Sequence, residues 1–176
     1  TGVENLTSLS DWSAKTLMRT LNWDDLDWII KRWGGKVILK GIQDVEDAKM
    51  AVKTGADAII VSNHGGRQLD GALSSIRSLP SIIDAVGDQI EVWMDGGIRS
   101  GQDVAKAVSL GAKGVMIGRP FIYGLGAMGQ KGVSKALDII HKELDTTMAL
   151  CGERNITNMS RDNLLIPKDF RGDWEK

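Results

Sequence analysis

The sequence is short of several things, and each shortage excludes something. It holds a single cysteine, Cys151, in 176 residues, so no intramolecular disulfide framework is available and a reducing compartment is indicated. Neither sign of charge is in excess. Twenty-two basic against 23 acidic residues leave a net charge of −1, without the basic footprint of a nucleic-acid backbone binder. No apolar run approaches the roughly 18 residues of a membrane-spanning helix. The chain opens TGVENL, with neither an initiator methionine nor a signal peptide, and reads as a processed or excised piece. Histidine is scarce too, at two, which makes the place of each informative.

What is present begins with tryptophan. Of six, Trp12, Trp23, Trp28 and Trp33 crowd into the first 33 residues. Helix and core packing is their expected use. A membrane-interface or partner-facing surface is the alternative, because indole favours a boundary with one wet side. The segment SLSDWSAKTLMRTLNWDDLDWIIKRWGG reads as two helices. Ser10 or Asp11 caps the first; Trp28, Ile29 and Trp33 form an apolar face on the second before Gly34-Gly35 ends it. This second helix is expected to precede the first strand and cover the sheet.

Four short apolar runs follow: KVILK (36–40), AIIVS (58–62), EVWMD (91–95) and GVMIG (114–118). They lack a polar alternation, which suits strands of a parallel sheet buried on both faces. Between them, DVEDAKMAVKTGAD sets Val45, Ala48, Ala51 and Val52 on one face and stops at Gly55. GQDVAKAVSLGAK repeats the plan with Val104, Ala107, Val108 and Gly111. Strand, loop, helix, loop is the unit of a parallel α/β fold. A closed barrel of eight such units needs about 250 residues, and only four are visible here. RPFIYGLGAMGQKGVSKALDIIHKELDTTMALCG reads as a short turn and then a long amphipathic helix, with no fifth strand after it. The expected organisation is a helical segment after a mobile loop over 1–35, half a barrel over 36–152, and a tail over 153–176.

In α/β barrels the reactive groups gather where strands end. Here the strands end in Lys40-Gly41, in Ser62-Asn63-His64-Gly65-Gly66-Arg67, in Asp95-Gly96-Gly97-Ile98-Arg99 and in Gly118-Arg119-Pro120. A rim that only closed a fold would not need these charges. DGGIRSGQDV is a glycine-rich turn entering a helix, and GRP opens the segment after the last strand. Amides freed by glycine, the positive end of a helix and two arginines make a phosphate site. Tight turns at a barrel rim are the plainer reading of either motif alone. Elsewhere His141 reads as surface, Asp70 as a loop anchor, Cys151 as buried and inert, and Trp93 and Met94 as core or cofactor-side packing.

Taken together, LKG, SNHGGRQLDG, DGGIRSGQDV and IGRP, in this order and spacing, resemble the C-terminal half of the FMN-dependent α-hydroxy-acid oxidases and dehydrogenases. That family includes glycolate oxidase, flavin-type lactate dehydrogenase and mandelate dehydrogenase. The likeness runs from about Trp33 to Gly152. It implies a (β/α)8 TIM barrel of which this chain supplies the C-terminal four βα units. The implied reaction is FMN-dependent oxidation of an L-2-hydroxy acid, lactate favoured, to the 2-oxo acid, with electrons passed to O2 or to quinone or cytochrome.

The resemblance also assigns roles. His64 is the implied base, and imidazole suits this because its ordinary pKa lies near working pH. Arg67 clamps the substrate carboxylate with its planar fork. Lys40 faces the flavin edge where negative charge grows. Ser62, Gly65, Asp95, Gly96, Gly97, Arg99, Gly118 and Arg119 complete the implied cofactor contacts, with His64 and Arg67 also touching it, and Gly66 allows close backbone approach. No metal is implied. The implied partners are the small hydroxy acid, the N-terminal half of the same barrel, which brings tyrosines and an aspartate absent here, and further copies forming a tetramer. A cytoplasmic protein, or one held peripherally on the inner membrane and near quinone, is expected. The rival readings are another FMN or phosphate-binding barrel, such as an IMP dehydrogenase-like enzyme or an isomerase, and an inactive half-barrel.

Overall fold

A computed structural model describes residues 20–170. The first expected helix, with Trp12 and its cap at Ser10 or Asp11, lies outside the described residues. The chain divides into two units, Thr1–Gly35 and Lys36–Lys176. In the first, helix α1 (Asp25–Trp33) carries Asp25 and Asp27 in its first turn and Lys31 and Arg32 in its last, the order that suits the helix dipole. Gly34, at φ 66°, closes it by donating its N–H to the Ile30 carbonyl. The core role expected of its tryptophans is corrected. Trp28 and Trp33 are 62% and 69% exposed, and the Trp33 indole folds over Gly35, which has no side chain in its way.

In the second unit strand and helix alternate: β1 (Ile38–Ile42), α2 (Val45–Lys53), β2 (Ala58–Val61), α3 (Ser75–Val86), β3 (Glu91–Met94), α4 (Gly101–Ser109), β4 (Gly114–Val115) and α5 (Arg119–Leu150). The strands pair in parallel in the order β1-β2-β3-β4. β2 is buried at every position, as a strand covered on both faces must be. The helices bury small residues against it: Ala48 and Ala51 of α2 and Ala107 of α4 are wholly inaccessible. Asp44 starts α2 by accepting the Glu46 and Asp47 amides, and Ser100 and Asp103 start α4 as a reciprocal capping box. Both helices end just before the glycines expected to stop them, Gly55 at φ 78° and Gly111 at φ 111°.

Four features differ from the reading of the sequence. β1 runs past Lys40, which lies inside the strand: Gly41, at φ 100°, lets the pairing with β2 slip between Lys40 and Ile42 as a bulge. β4 is only two residues long. The segment after it is helical from its start, in two limbs, 119–127 and 130–150, because Met128 and Gly129 leave helical geometry between them. The limbs fold back until Gly124 and Gly132 meet backbone to backbone, a contact that admits no side chain on either. Cys151 is exposed, not buried, because it sits in the turn that closes α5.

The helix α3 was not singled out in the sequence, although Leu79, Ile82 and Val86 recur at helical spacing and are all buried. Residues 153–170 do not trail free. Met159 is buried and Arg161 pairs with Asp84 of α3 at 2.6 Å. Among the described residues no helix is long and apolar enough to cross a membrane.

Candidate active site

The ends of β1, β2 and β3 are tied together by one cation. The Lys40 ammonium lies 2.7 Å from Asp95 Oδ2 and donates to Ser62 Oγ at 2.9 Å. The bulge at Gly41 leaves Lys40 on the face it shares with Ser62 and Asp95. Ser62 is 2% exposed, and its hydroxyl oxygen also accepts the His64 N–H at 3.1 Å. Asp95 Oδ1 is buried and has no hydrogen-bond partner.

The chain then turns in an unusual way. His64 has φ 55°, the only described residue other than glycine in the left-handed region, and Gly65 and Gly66 follow it at φ 65° and 71°. That region costs a residue with a side chain about 1–2 kcal/mol, which explains why two glycines continue the turn. It does not explain the histidine. A strained, non-glycine residue at a strand end points to a function for its side chain. The turn closes through Arg67 N–H, which donates to the His64 carbonyl, so residues three apart are held in one turn.

From the other side come Gly96 and Gly97, at φ 93° and 87°, and the start of α5. An Arg119 guanidinium nitrogen lies 3.4 Å from where a Gly65 side chain would begin. These groups line a single cleft of about 490 Å³ that takes in Lys40, His64, Arg67, Asp95, Arg99 and Arg119 with the backbones of Gly65, Gly96, Gly97 and Gly118. Of the expected site residues, Ser62, which is 2% exposed, and Gly66 do not line the cleft.

Four cations and one carboxylate therefore face one space. Among the described residues the carboxylates pair with Lys36, Lys40, Lys49 and Arg161, so Arg67, Arg99 and Arg119 keep their charge for something else. Such a cleft favours an anion.

The sequence reading shares the anion between the glycine-rich turn entering α4 and the segment that opens α5. Four amides at the entry to α4 are already taken. Arg99 N–H and Ser100 N–H donate to Asp103 Oδ2, Asp103 N–H donates to Ser100 Oγ, and Gly101 N–H donates to Glu143 Oε2 of α5. The start of α5 has no side-chain cap on Gly118, and it opens on the cleft. The start of α5 thus offers the cleft an uncapped helix end.

A larger cavity, about 600 Å³, lies between α4 and the C-terminal segment. Ile76, Met94, Ile98, Leu110, Leu164 and Phe170 make it apolar, and its carboxylate, Asp103, is engaged in capping α4. The converging polar groups are in the smaller cleft. Elsewhere His141 is exposed on α5, as expected. Asp70 accepts the Gly71 N–H within its loop, Met94 is core, and Trp93 donates to Glu91 with its ring against Gly114.

Comparison with known proteins bears on this geometry. The family model described as FMN-dependent dehydrogenase matches residues 2–166. An L-lactate dehydrogenase of Azorhizobium caulinodans is 52% identical over 161 residues, which is 92% of this chain and 42% of that protein. A solved structure of a monotopic membrane protein, (S)-mandelate dehydrogenase, superimposes with a TM-score of 0.85 at 37% identity, over 93% of this chain and 43% of that one. A mandelate oxidase variant with a monooxide FMN adduct gives 0.77 at 45% identity, over 80% and 45%. The chain spans less than half the length of the curated relatives it matches.

Proposed function

The chain belongs to the FMN-dependent dehydrogenase family, its four βα units being the C-terminal half of a (β/α)8 barrel, and from that premise we propose that the intact protein oxidises an L-2-hydroxy acid to the 2-oxo acid with FMN. The observation that carries this reading is the convergence of His64, Arg67 and Lys40 on one cleft with two further unpaired arginines.

The residues present fit the cofactor. Arg99, Arg119 and the uncapped start of α5 suit a phosphate dianion. The buried, unpartnered Asp95 Oδ1 suits the hydroxyls of a polyol chain. When bound, FMN supplies a two-electron acceptor. The protein does the rest. Arg67 holds the substrate carboxylate through a planar fork that also fixes its orientation. His64, presented by its left-handed turn, accepts a proton from the substrate. Lys40 places a fixed positive charge where negative charge develops, and its salt bridge to Asp95 and bond to Ser62 keep it from swinging away.

Lactate is favoured over mandelate because the lactate dehydrogenase relative is the more similar, at 52% identity against 37–45% for the mandelate enzymes. The missing partner in this reading is four more βα units. β1 and β4 are the outer strands of the sheet, and an edge left open invites pairing. Peripheral contact with a membrane, and transfer of electrons to quinone, are part of the same proposal, supported by the monotopic mandelate dehydrogenase structure.

The test is optical. The intact protein should be yellow and should bleach when L-lactate is added without oxygen. A colourless preparation that takes up no FMN defeats the reading. A yellow one that lactate, glycolate and mandelate all leave unbleached assigns the cleft to different flavin chemistry.

A further inference from the structure

The strained histidine raises a question that the proposed chemistry leaves open: what holds His64 in a conformation it disfavours? Its neighbour does. Asn63 Oδ1 accepts the Gly65 N–H at 3.0 Å, and the Asn63 carbonyl accepts the Gly66 N–H at 3.0 Å. The Asn63 N–H donates to Ser75 Oγ at 3.1 Å, and its Nδ2 donates to the Leu73 carbonyl at 3.4 Å. Every polar group of Asn63 is thus engaged. Two of these bonds close the turn around His64, and two anchor it to the loop and helix that follow.

The anchor is rigid. Ser75 is 1% exposed in the first turn of α3. Gly96 lies over the pair so closely that a side chain there would start 2.9 Å from Ser75 Oγ and 3.2 Å from Asn63 Oδ1. The loops after β2 and β3 and the start of α3 therefore meet at one residue. That residue is not the one with the chemistry.

We infer that Asn63 is a positioning residue: through Gly65 and Ser75 it fixes the left-handed turn that presents the His64 imidazole to the cleft. This rests on His64 being the base. A free turn would relax toward negative φ, which a residue with a side chain favours, and would re-aim the side chain. Misplacement of a reacting group by as little as 1 Å costs up to about a hundredfold in rate.

The experiment uses the intact holoenzyme. Asn63→Ala should lower kcat roughly 10- to 100-fold while the KM for lactate, which Arg67 governs, stays within about twofold and flavin content stays full. Asn63→Asp keeps the acceptor for the Gly65 N–H and should recover most of the lost kcat. If the alanine variant does not fold, Ser75→Ala serves in its place. It leaves the Asn63 N–H unpaired and should lower kcat several-fold at unchanged KM. A kcat at the wild-type level in the folded alanine variants overturns the inference, as does a loss that merely tracks flavin content, or an Asn63→Asp variant no better than Asn63→Ala. His64→Gln, assayed alongside, separates the two ideas. If it is dead while Asn63→Ala is normal, the positioning role alone falls; if it turns over normally, the base assignment falls and takes this inference with it.

Discussion

Lys40 Nζ and Asp95 Oδ2 lie 2.7 Å apart, joining the first strand of the sheet to the third across the second. The side chains are 40% and 19% exposed, so this pair sits between a surface bridge, worth at most about 1 kcal/mol, and a buried one, whose breaking costs about 3–5 kcal/mol. Asp95→Asn should destabilise the apoprotein by about 1–2 kcal/mol on that scale. It should weaken FMN retention as well, because Asp95 also carries the buried free acceptor. Thermal denaturation of apo and holo forms reads both. Equal stability and equal flavin affinity in the variant would remove Asp95 from the site.

Arg119 and Arg67 both line the cleft, yet they should fail differently. Arg119 stands at the uncapped start of α5, so Arg119→Ala should raise the FMN dissociation constant about 10- to 100-fold, the loss of one charge-assisted bond. With FMN saturating, its kcat should stay within about twofold of wild type. Fluorescence titration of apoprotein with FMN gives the constant directly. An unchanged constant places the phosphate elsewhere.

Arg67→Lys keeps the charge and loses the fork. KM for lactate should rise roughly tenfold, with a smaller fall in kcat and unaltered flavin binding. Steady-state kinetics with saturating acceptor decides it. A variant with wild-type KM shows that the carboxylate is held by something other than Arg67.

How much of this was legible before the structure depends on how local the cause is. Helices α2 and α4 announce themselves because a cap, an alanine stripe and a stop glycine lie within one short segment: Asp44, Ala48, Ala51 and Gly55 in the first, Ser100, Val104, Ala107 and Gly111 in the second. The rim residues could be found because each follows an apolar run. Their meeting in one cleft follows from the parallel sheet, which sends every strand end to the same side. What stayed hidden has a distant partner. Nothing near Gly101 says that Glu143, 42 positions on, takes its amide. Nothing near Lys40 says that Gly41 will bulge, since that depends on the register with β2. The turn in which His64 takes its positive φ is anchored by Asn63 to Ser75, twelve positions on from Asn63.

Gly101 offers a sharp test of the α4–α5 contact. A side chain there would begin 1.9 Å from the Leu144 backbone nitrogen and 2.6 Å from the Ile140 carbonyl oxygen, and backbone cannot step aside as a side-chain tip can. Gly101→Ala should cost about 3 kcal/mol or more, whereas Glu143→Ala, which only frees the Gly101 amide, should cost about 1 kcal/mol. Denaturant midpoints of the two variants should rank in that order. The reverse order would mean that the cap, not the close approach, holds these helices together.

The last prediction concerns pH, and it comes from the entry to the sheet. Asp57 accepts a hydrogen bond from the Lys36 ammonium and another from the Val37 N–H at 2.8 Å. The Lys36 bond, with the Val37 amide second, holds the Asp57 carboxyl below its ordinary 3.8. The same bond holds Lys36 above its ordinary 10.5. A carboxyl lowered on folding binds its proton more readily in the unfolded chain. Its contribution is therefore complete above about 3.8 and disappears as pH falls through the lower folded value. A raised lysine does the opposite: its contribution is complete below about 10.5 and disappears as pH rises through the higher folded value. The stability difference between wild type and Asp57→Asn should thus be flat from about pH 5 to pH 9 and narrow below pH 3.8, where the wild-type carboxyl takes up its proton. Both groups are open to solvent, so the plateau should be small. Melting curves of the two proteins across that range measure it. A difference that persists undiminished at pH 3 would show that Asp57 acts through its shape and not its charge.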